Sequence, residues 1–265
     1  MKDAECTKFL QWALPRMRMR WSGFRKVRRQ VCRRIARRID ELGLTGLQMY
    51  IRRLGSDPLE WEVLSSLCRV TISRFYRDRG VFDRIGDEIL PRLARRSEGT
   101  VRCWSAGCAS GEEVYTLKIL WELGVAPEAG DAALYVIGTD SDQVMLDRAM
   151  RGVYRDSSVR EMPAEMVRRA FERSGDALVI RPRFREGVTF ESRDIREPAP
   201  GGSFDMILCR NLVFTYFDEP LQREILFRFS EGLSRGGLLV VGSHESLPRV
   251  RFGLKQESPS IYVRA

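Results

Sequence analysis

The chain has 265 residues, of which 43% are hydrophobic and 31% charged, and its formal net charge is +9. This is enough for a sizeable core in one large domain, or in one domain with a smaller helical one, and no apolar run is long enough to span a bilayer. The six cysteines are scattered and include no C-x-x-C pair, and the start lacks signal-peptide features, which together predict reduced thiols in a cytoplasmic protein. The chain has a single histidine, which argues against a zinc site and against a histidine-dependent hydrolase.

Residues 1–96 are predicted to form an all-helical domain. Apolar residues recur at three- and four-residue steps between Phe24 and Leu42, which is typical of one amphipathic helix. The same periodicity predicts three further helices, at 47–54, 61–67 and 81–93. A polar linker follows them near residue 96.

The segment from Arg16 to Arg38 contains many arginines and no acid. This basic helix 16–38 could contact an acidic partner, such as nucleic acid, an anionic membrane surface or a glutamate-rich protein helix. A solvated helix face without a partner is the alternative.

From residue 97 to residue 265, strands alternate with helices, which predicts an α/β domain with a parallel, Rossmann-like sheet covered on both faces. Strands are expected at 101–104, 134–140, 204–209 and 238–242, and helices at 112–123, 141–151 and 219–233. Residues 154–187 depart from this alternation. Their helical piece and two short apolar strands, ALVI and VTF, predict an inserted subdomain with a small antiparallel sheet.

A loop of small residues follows the first strand, in VRCWSAGCASGEEVY (101–115). Gly107 and Gly111 leave room for a ligand close to the backbone. The spacing differs from G-x-G-x-x-G, and Glu112 and Glu113 stand where a pyrophosphate would need positive potential. A cationic, adenosine-containing ligand fits better, and S-adenosylmethionine (SAM) is the obvious one. A tight turn without any ligand is the alternative.

Acidic residues follow two of the other strands. Asp140 could accept both ribose hydroxyls of an adenosine, or it could cap the next helix, although its neighbours could serve as caps instead. Asp194, after VTFES, could accept a hydrogen bond from the adenine amino group. Because ligands bind beyond the carboxyl ends of parallel strands, we expect Gly107, Asp140 and Arg210 to converge.

Two further segments combine polar and aromatic residues. In TISRFYRD (71–78), two aromatic residues precede Arg77, whose guanidinium could lie between their rings and hold a carboxylate, or lie exposed at a helix start. In ILCRNLVFTYFD (207–218), Arg210 and Asn211 follow a buried strand and aromatic residues come next, which is typical of a ligand pocket. Packing under the next helix is the alternative for those aromatic side chains.

Together these segments resemble the chemotaxis-receptor methyltransferases of the CheR family over nearly the whole chain. WSAGCASGEEVYTL resembles the SAM loop of that family, and GTDSDQVMLDRAMRGVYR resembles its ribose-binding strand and helix. TISRFYRD resembles its T-x-F-F-R-type segment, and ILCRN with YFDEPLQREILFRFSEGLSRGGLLVVGSHESL resembles its C-terminal signature. The basic helix matches the helical N-terminal module of the family.

The resemblance implies a SAM-dependent methyltransferase that esterifies glutamate side chains on receptor helices and releases S-adenosylhomocysteine. The residues that would then line the SAM site, with Gly107 of the loop, are Thr71, Ser73, Arg77, Glu113, Asp140, Asp194, Ile195, Arg210 and Asn211. Arg77 and Tyr216 would flank the methyl-transfer point, and no metal is required. The inserted segment matches a β-subdomain that docks a receptor-tail peptide in some members, although the hairpin RSGDALVIRP is short here.

The chain departs from the family pattern at several positions. Four residues separate Asn211 from Tyr216 where three are usual, and Thr71 replaces the usual asparagine. The usual G-H-S-E-S reads GSHES at 242–246, and the N-terminal module is richer in arginine.

Two other functions stay open on the sequence alone. One is a methyltransferase of the same build that acts on a small molecule or on another protein group. The other is a SAM-sensing or nucleic-acid-binding module that uses the basic helix. That helix lacks interleaved aromatic residues for base stacking, which counts against binding of single-stranded nucleic acid.

Overall fold

A computed structural model describes residues 3–265. The α-helices are α1 (Asp3–Ala13), α2 (Trp21–Phe24), α3 (Arg28–Glu41), α4 (Leu47–Ser56), α5 (Leu59–Leu67), α6 (Arg79–Arg84), α7 (Leu90–Arg96), α8 (Glu112–Leu120), α9 (Gln143–Arg151), α10 (Asp156–Val159), α11 (Ala164–Ala170), α12 (Val213–Tyr216) and α13 (Glu219–Gly232). The strands are β1 (Thr100–Ala106), β2 (Ala133–Asp140), β3 (Val153–Tyr154), β4 (Phe171–Ser174), β5 (Ala177–Ile180), β6 (Val188–Ser192), β7 (Phe204–Cys209), β8 (Leu233–Val241), β9 (Leu254–Ser258) and β10 (Ile261–Arg264). Within residues 3–265, no helix has both the length and the apolar character needed to cross a membrane.

The chain divides into two compact units. The first contains the residues up to Thr71 together with Thr215–Gln222, and the second contains Ile72–Phe214 and Arg223–Ala265. Helices α6 and α7 belong to the second unit because their apolar side chains are buried in the same core as those of the strands. The units therefore divide the chain at Thr71, earlier than the domain boundary that the sequence predicts at residue 96.

In the first unit, the basic segment 16–38 is not one helix, so the prediction of an unbroken helix from Phe24 was wrong. Helix α2 ends at Phe24, a turn follows, and α3 begins at Arg28. The backbone near α2 instead contacts a distant segment of the same unit. Arg20 Nε donates to Thr215 O at 3.0 Å, and a Cβ on Gly23 would lie 2.2 Å from that same oxygen. This close approach involves residues remote in sequence, which helical periodicity cannot reveal.

A buried ion pair joins α3 to α5 in the first unit. The side chain of Glu60 is only 2% exposed, and it accepts hydrogen bonds from Arg38 Nε at 3.0 Å, Arg38 Nη2 at 2.8 Å and Tyr50 Oη at 2.9 Å. Hydrogen bonding from Arg38 lowers the pKa of Glu60 below its ordinary value of 4.5. Arg38 thus serves the core of this unit rather than its surface.

Replacing Glu60 by glutamine is expected to lower the free energy of unfolding by about 2 kcal/mol at neutral pH, because the hydrogen bonds to Arg38 lose their charge. The folded pKa of Glu60 is lowered, so its contribution to stability is complete above the unfolded pKa, near 4.5. That contribution is lost as the pH falls through the folded value. Urea unfolding at several pH values would measure this, and a difference between the two proteins that stays constant into the acid range would contradict it.

A disulfide joins Cys6 of α1 to Cys32 of α3, with Cα atoms 6.0 Å apart. The prediction of reduced thiols was wrong for this pair, because the packing of α1 on α3 brings together two residues that are 26 positions apart. The free cysteines among the described residues are all buried, namely Cys68, Cys103, Cys108 and Cys209.

The second unit is built on a seven-stranded sheet in the order β6-β2-β1-β7-β8-β10-β9. Strands β6, β2, β1, β7 and β8 run parallel, and β10 is antiparallel to both of its neighbours. The chain leaves β1 towards β2 and β6 on one side, and it returns to build β7 and β8 on the other. The switch in strand order therefore lies between β1 and β7, where ligands of such sheets bind. This confirms the predicted α/β, Rossmann-like fold.

The inserted subdomain has a three-stranded antiparallel sheet in the order β3-β5-β4. The predicted strand ALVI is β5, but its partners are β3 and β4. The placement of VTF in this small sheet was wrong, because it belongs to β6 and pairs in parallel with β2. Gly187, at a φ of +69°, permits this approach, since a Cβ there would lie 2.8 Å from Leu134 O of β2.

Candidate functional site

The glycine loop after β1 is fastened to the carboxyl end of the neighbouring strand β2. The backbone N–H groups of Gly107 and Cys108 both donate to Thr139 O, at 2.8 and 2.9 Å. Gly107 has a φ of +84°, and a Cβ there would lie 2.4 Å from Leu212 Cδ2. Gly111 has a φ of +83°, and a Cβ there would lie 2.8 Å from Ala149 Cβ. Both glycines are therefore required by the turn itself.

Asp140, at the end of β2, joins this loop to the start of α9. Its Oδ2 accepts from Ala109 N and its Oδ1 from Asp142 N, each at 2.9 Å. The cap of α9 is Asp142, whose Oδ1 accepts from Val144 N at 3.1 Å and from Met145 N at 3.3 Å. Of the two roles considered for Asp140, capping is thus performed by its neighbour. The half-buried carboxylate of Asp140 is fixed at the predicted edge of the sheet.

Glu113 is paired within the protein. Its Oε2 accepts from Arg210 Nη1 at 3.0 Å, and its Oε1 accepts from Ser105 Oγ at 2.7 Å. Arg210 follows β7, so this ion pair spans the switch point between β1 and β7. The second acid of the loop, Glu112, is buried, and its Oε2 and Oε1 accept from Ser110 Oγ at 2.8 and 2.9 Å. Internal partners thus account for both acids of the loop without a ligand.

Arg210 binds a second carboxylate that sequence reasoning missed. Its Nη2 donates to Asp78 Oδ2 at 2.8 Å and to the backbone oxygen of Arg77 at 2.6 Å. Its guanidinium also lies over the Phe82 ring, 4.8 Å from the centroid, and the side chain is only 3% exposed. The signal available in the sequence was an acid directly after Arg77 in TISRFYRD.

Glu245 is another residue whose role was missed. Its Oε2 accepts from Asn211 N at 2.7 Å and from Gly242 N at 2.8 Å, so it joins the ends of β7 and β8. Asn211 has a φ of +57°, in the left-handed region that asparagine tolerates. In the sequence the GSHES segment stands out only by its residue order, whereas in the structure its carboxylate shapes the turn at Asn211.

The aromatic residues before Arg77 anchor its segment in the core. Phe75 is fully buried and meets two other rings edge-on, and Tyr76 is 2% exposed and packs on Phe82, with ring centroids 5.6 Å apart. The prediction that these rings enclose the guanidinium was wrong, because both are committed to the core. The half-buried Arg77 donates from Nη1 to Ile72 O at 2.7 Å.

The remaining predicted site residues are spread more widely. Asp194 accepts three hydrogen bonds from Arg196, from Nη2 at 2.6 Å, from Nε at 2.8 Å and from the backbone N–H at 2.9 Å. Ile195 and Ser73 are half-buried in the second unit. Thr71 belongs to the first unit.

Tyr216 also belongs to the first unit. Its ring lies 4.9 Å from the Phe24 ring, centroid to centroid, and its backbone oxygen accepts from Arg20 N at 2.8 Å. The paired role predicted for Arg77 and Tyr216 stays a prediction.

The donor set of the second unit fits SAM. Gly107, Asp140 and Arg210 each follow or end a parallel strand, so they share the carboxyl edge of the sheet, as predicted. Asp140 offers a fixed carboxylate to hydroxyl donors. Arg210 pairs with two carboxylates, those of Glu113 and Asp78, so this cluster carries a net negative charge, which suits a sulfonium better than a phosphate. Among residues 3–265, no group of three His, Cys, Asp or Glu side chains could hold a metal ion.

Comparisons with known proteins agree with this reading. Residues 71–262 match the family model for the CheR methyltransferase, SAM binding domain. The chemotaxis protein methyltransferase of Listeria innocua is 32% identical over 216 residues, which cover 81% of this chain and 80% of that protein. The chemotaxis protein methyltransferase of Escherichia coli is 31% identical over 243 residues, which cover 87% and 82%.

A third relative is the chemotaxis protein methyltransferase of Salmonella typhimurium, 33% identical over 246 residues that cover 89% of this chain and 82% of that one. Among solved structures, the N-methyltransferase NodS of Bradyrhizobium japonicum is 16% identical, with a match that covers 69% of this chain and 87% of that one, and the TM-score is 0.38. On its sequence, the chain belongs to the CheR methyltransferase family, and it is a SAM-dependent methyltransferase.

Proposed function

We propose that this enzyme methylates glutamate carboxylates of a protein substrate in the cytoplasm, giving methyl esters and S-adenosylhomocysteine. The observation that supports this most is the state of Arg77. A guanidinium carries five N–H donors, and the hydrogen bond from Arg77 Nη1 to Ile72 O uses one of them. The side chain is half-buried, so its position is defined while donors stay available for a planar carboxylate.

The residues proposed to hold SAM are Thr71, Ser73, Arg77, Gly107, Glu113, Asp140, Asp194, Ile195, Arg210 and Asn211. Asp140 would accept the ribose hydroxyls, and Asp194 would face the adenine amino group. Arg210 would act mainly by holding Glu113, since its own guanidinium is buried. When bound, SAM supplies an electrophilic methyl group on a sulfonium.

No general base is needed for this reaction. A glutamate side chain, with a pKa of about 4.3, is already ionised at neutral pH. With SAM bound, this carboxylate oxygen would accept the methyl group, and S-adenosylhomocysteine would be the leaving group. The protein therefore contributes mainly alignment, which can lower the barrier by roughly 7–11 kcal/mol. We propose that Arg77 orients the acceptor carboxylate.

An exposed row of arginines on α3 supports an acidic protein partner. Arg29, Arg33 and Arg37 recur at four-residue steps on this helix and are exposed. Within residues 3–265 they form no ion pair, whereas Arg28 and Arg38 on the same helix pair with acids of their own unit. We call these three residues the arginine row and propose that it contacts the acidic face of a substrate helix.

The test uses SAM with a labelled methyl group, incubated with the enzyme and a cell lysate. We expect label in the protein fraction, released as methanol by mild base, as a carboxyl methyl ester requires. Label confined to small molecules, or base-stable label on protein, would overturn the proposed acceptor.

A second arm of that experiment tests the arginine row. Changing Arg29, Arg33 and Arg37 to glutamate is expected to lower protein labelling at least about tenfold, since surface charge steers association. The matched control makes the same charge change at exposed arginines of the second unit, Arg95, Arg235 and Arg249. Equal losses in both triple variants would remove the row from substrate binding.

A further inference from the structure

Arg77 lies between two residues with strained backbone. Tyr76 has a φ of +59° and Asp78 a φ of +63°, in the left-handed region that non-glycine residues rarely adopt. Such residues keep this conformation only where surrounding contacts impose it. The position of the Arg77 side chain therefore depends on the contacts that hold residues 76–78.

Tyr76 is held from the core side. Its backbone N–H donates to Thr116 Oγ1 at 3.3 Å, and its hydroxyl donates to Asp83 Oδ1 at 2.9 Å. Its ring is 2% exposed. These contacts fix the residue before Arg77 and leave the residues after it to be held by something else.

Arg210 holds the other side. A single nitrogen, Nη2, donates both to the backbone oxygen of Arg77, at 2.6 Å, and to Asp78 Oδ2, at 2.8 Å. The opposite nitrogen, Nη1, donates to Glu113 at 3.0 Å. Among the described residues, Arg210 Nε is buried without a hydrogen-bond partner, so the two terminal nitrogens make its hydrogen bonds. The Arg210 guanidinium thus binds one carboxylate through each of its two terminal nitrogens.

We propose that Asp78 is a positioning residue that acts on Arg77 through Arg210. The Asp78 carboxylate holds Arg210 Nη2 in a position from which this nitrogen also donates to the backbone oxygen of Arg77. The two hydrogen bonds together fix the turn that orients the Arg77 guanidinium. Without the negative charge of Asp78, Arg210 is drawn by Glu113 alone and the turn can relax. This inference rests on the proposed function in one respect, namely that Arg77 orients the acceptor.

The test is a double-mutant cycle read as total S-adenosylhomocysteine formed from SAM in the presence of lysate, which counts every acceptor. We expect Asp78→Asn to lower the rate at saturating SAM about tenfold, since small misplacements of a reacting group are costly. The KM for SAM should change by less than about threefold. Arg77→Ala should lower the rate further, and the double variant should match Arg77→Ala alone, because both changes act on the same side chain.

Amide hydrogen exchange gives a readout that needs no acceptor. Peptides spanning 72–80 should exchange faster in Asp78→Asn than in the wild-type protein. The matched control is Glu161→Gln, which removes the ion pair of Arg74, on the same segment, at 2.9 Å without touching Arg210. This control should leave the rate of S-adenosylhomocysteine formation near the wild-type value. Asp78→Glu should restore part of the rate of S-adenosylhomocysteine formation that is lost in Asp78→Asn.

Additive losses in the cycle, or unchanged exchange in Asp78→Asn, would overturn the role of Asp78. Failure of the proposed acceptor looks different, because it appears in the chemistry of the labelled product and not in the coupling between the two residues. The failure of one proposal can therefore be distinguished from the failure of the other.

Discussion

The Arg77→Ala enzyme is expected to lose methyl transfer by roughly 10²-fold or more, the size of effect seen when one preorganised charged or polar donor is removed from a reaction centre. Its affinity for SAM should stay within about threefold of the wild-type value, because the other proposed SAM contacts are untouched. Single-turnover labelling would give the transfer rate, and titration calorimetry the affinity. Wild-type transfer in this variant would remove Arg77 from the mechanism.

Two control variants sharpen this result. Arg77→Lys keeps the positive charge but loses the planar fork, so it should recover only part of the rate. Arg74→Ala removes a neighbouring arginine that pairs with Glu161 at 2.9 Å, and it should transfer methyl groups nearly as fast as the wild-type enzyme. If Arg74→Ala were as slow as Arg77→Ala, the defect would belong to the whole segment rather than to the Arg77 guanidinium.

Asp140→Asn is expected to weaken SAM binding by roughly 10–10²-fold, since hydrogen bonds to a charged acceptor contribute about 1.5–3 kcal/mol. The carboxylate also holds the loop through Ala109 N and the start of α9 through Asp142 N, each at 2.9 Å. An amide offers one acceptor oxygen in place of two, so one of these contacts weakens as well. Calorimetry with S-adenosylhomocysteine, the expected product, would measure the loss.

Asp142→Asn is the matched control for Asp140→Asn. Asparagine caps helices about as well as aspartate, so α9 should keep its start and the affinity should change little. Equal weakening by both substitutions would mean that the loss reflects the local backbone, and the ribose role of Asp140 would then be abandoned.

The sheet and its edge could be predicted from the sequence because their signals are local. Buried parallel strands appear as short apolar runs, and the residues that follow them fall at one edge by topology alone. Gly107, Asp140 and Arg210 were placed together in this way. What that reasoning could not supply was the partner of each charge, since Glu113 and Arg210 are remote in sequence and meet only after the sheet forms.

The errors have a common physical cause, which is a tertiary contact that overrides a local pattern. The apolar period of α3 begins at Phe24, yet the helix breaks before Arg28, where α2 contacts the backbone of Thr215. VTF has the same apolar character as ALVI, and only its pairing with β2 decides its sheet. The Cys6–Cys32 disulfide depends on helix packing in the same way.

The first unit contains a piece of chain that arrives more than 140 residues after the rest of it, Thr215–Gln222. That piece is held by main-chain hydrogen bonds, from Arg20 N to Tyr216 O and from Asp218 N to Arg18 O, each at 2.8 Å. The limits of the matched family domain, 71–262, are therefore not the limits of a self-sufficient fold. A fragment that starts at Ile72 would contain Thr215–Gln222 without the rest of the first unit. An exchange of the N-terminal helices between relatives would therefore have to exchange a compatible form of this segment as well.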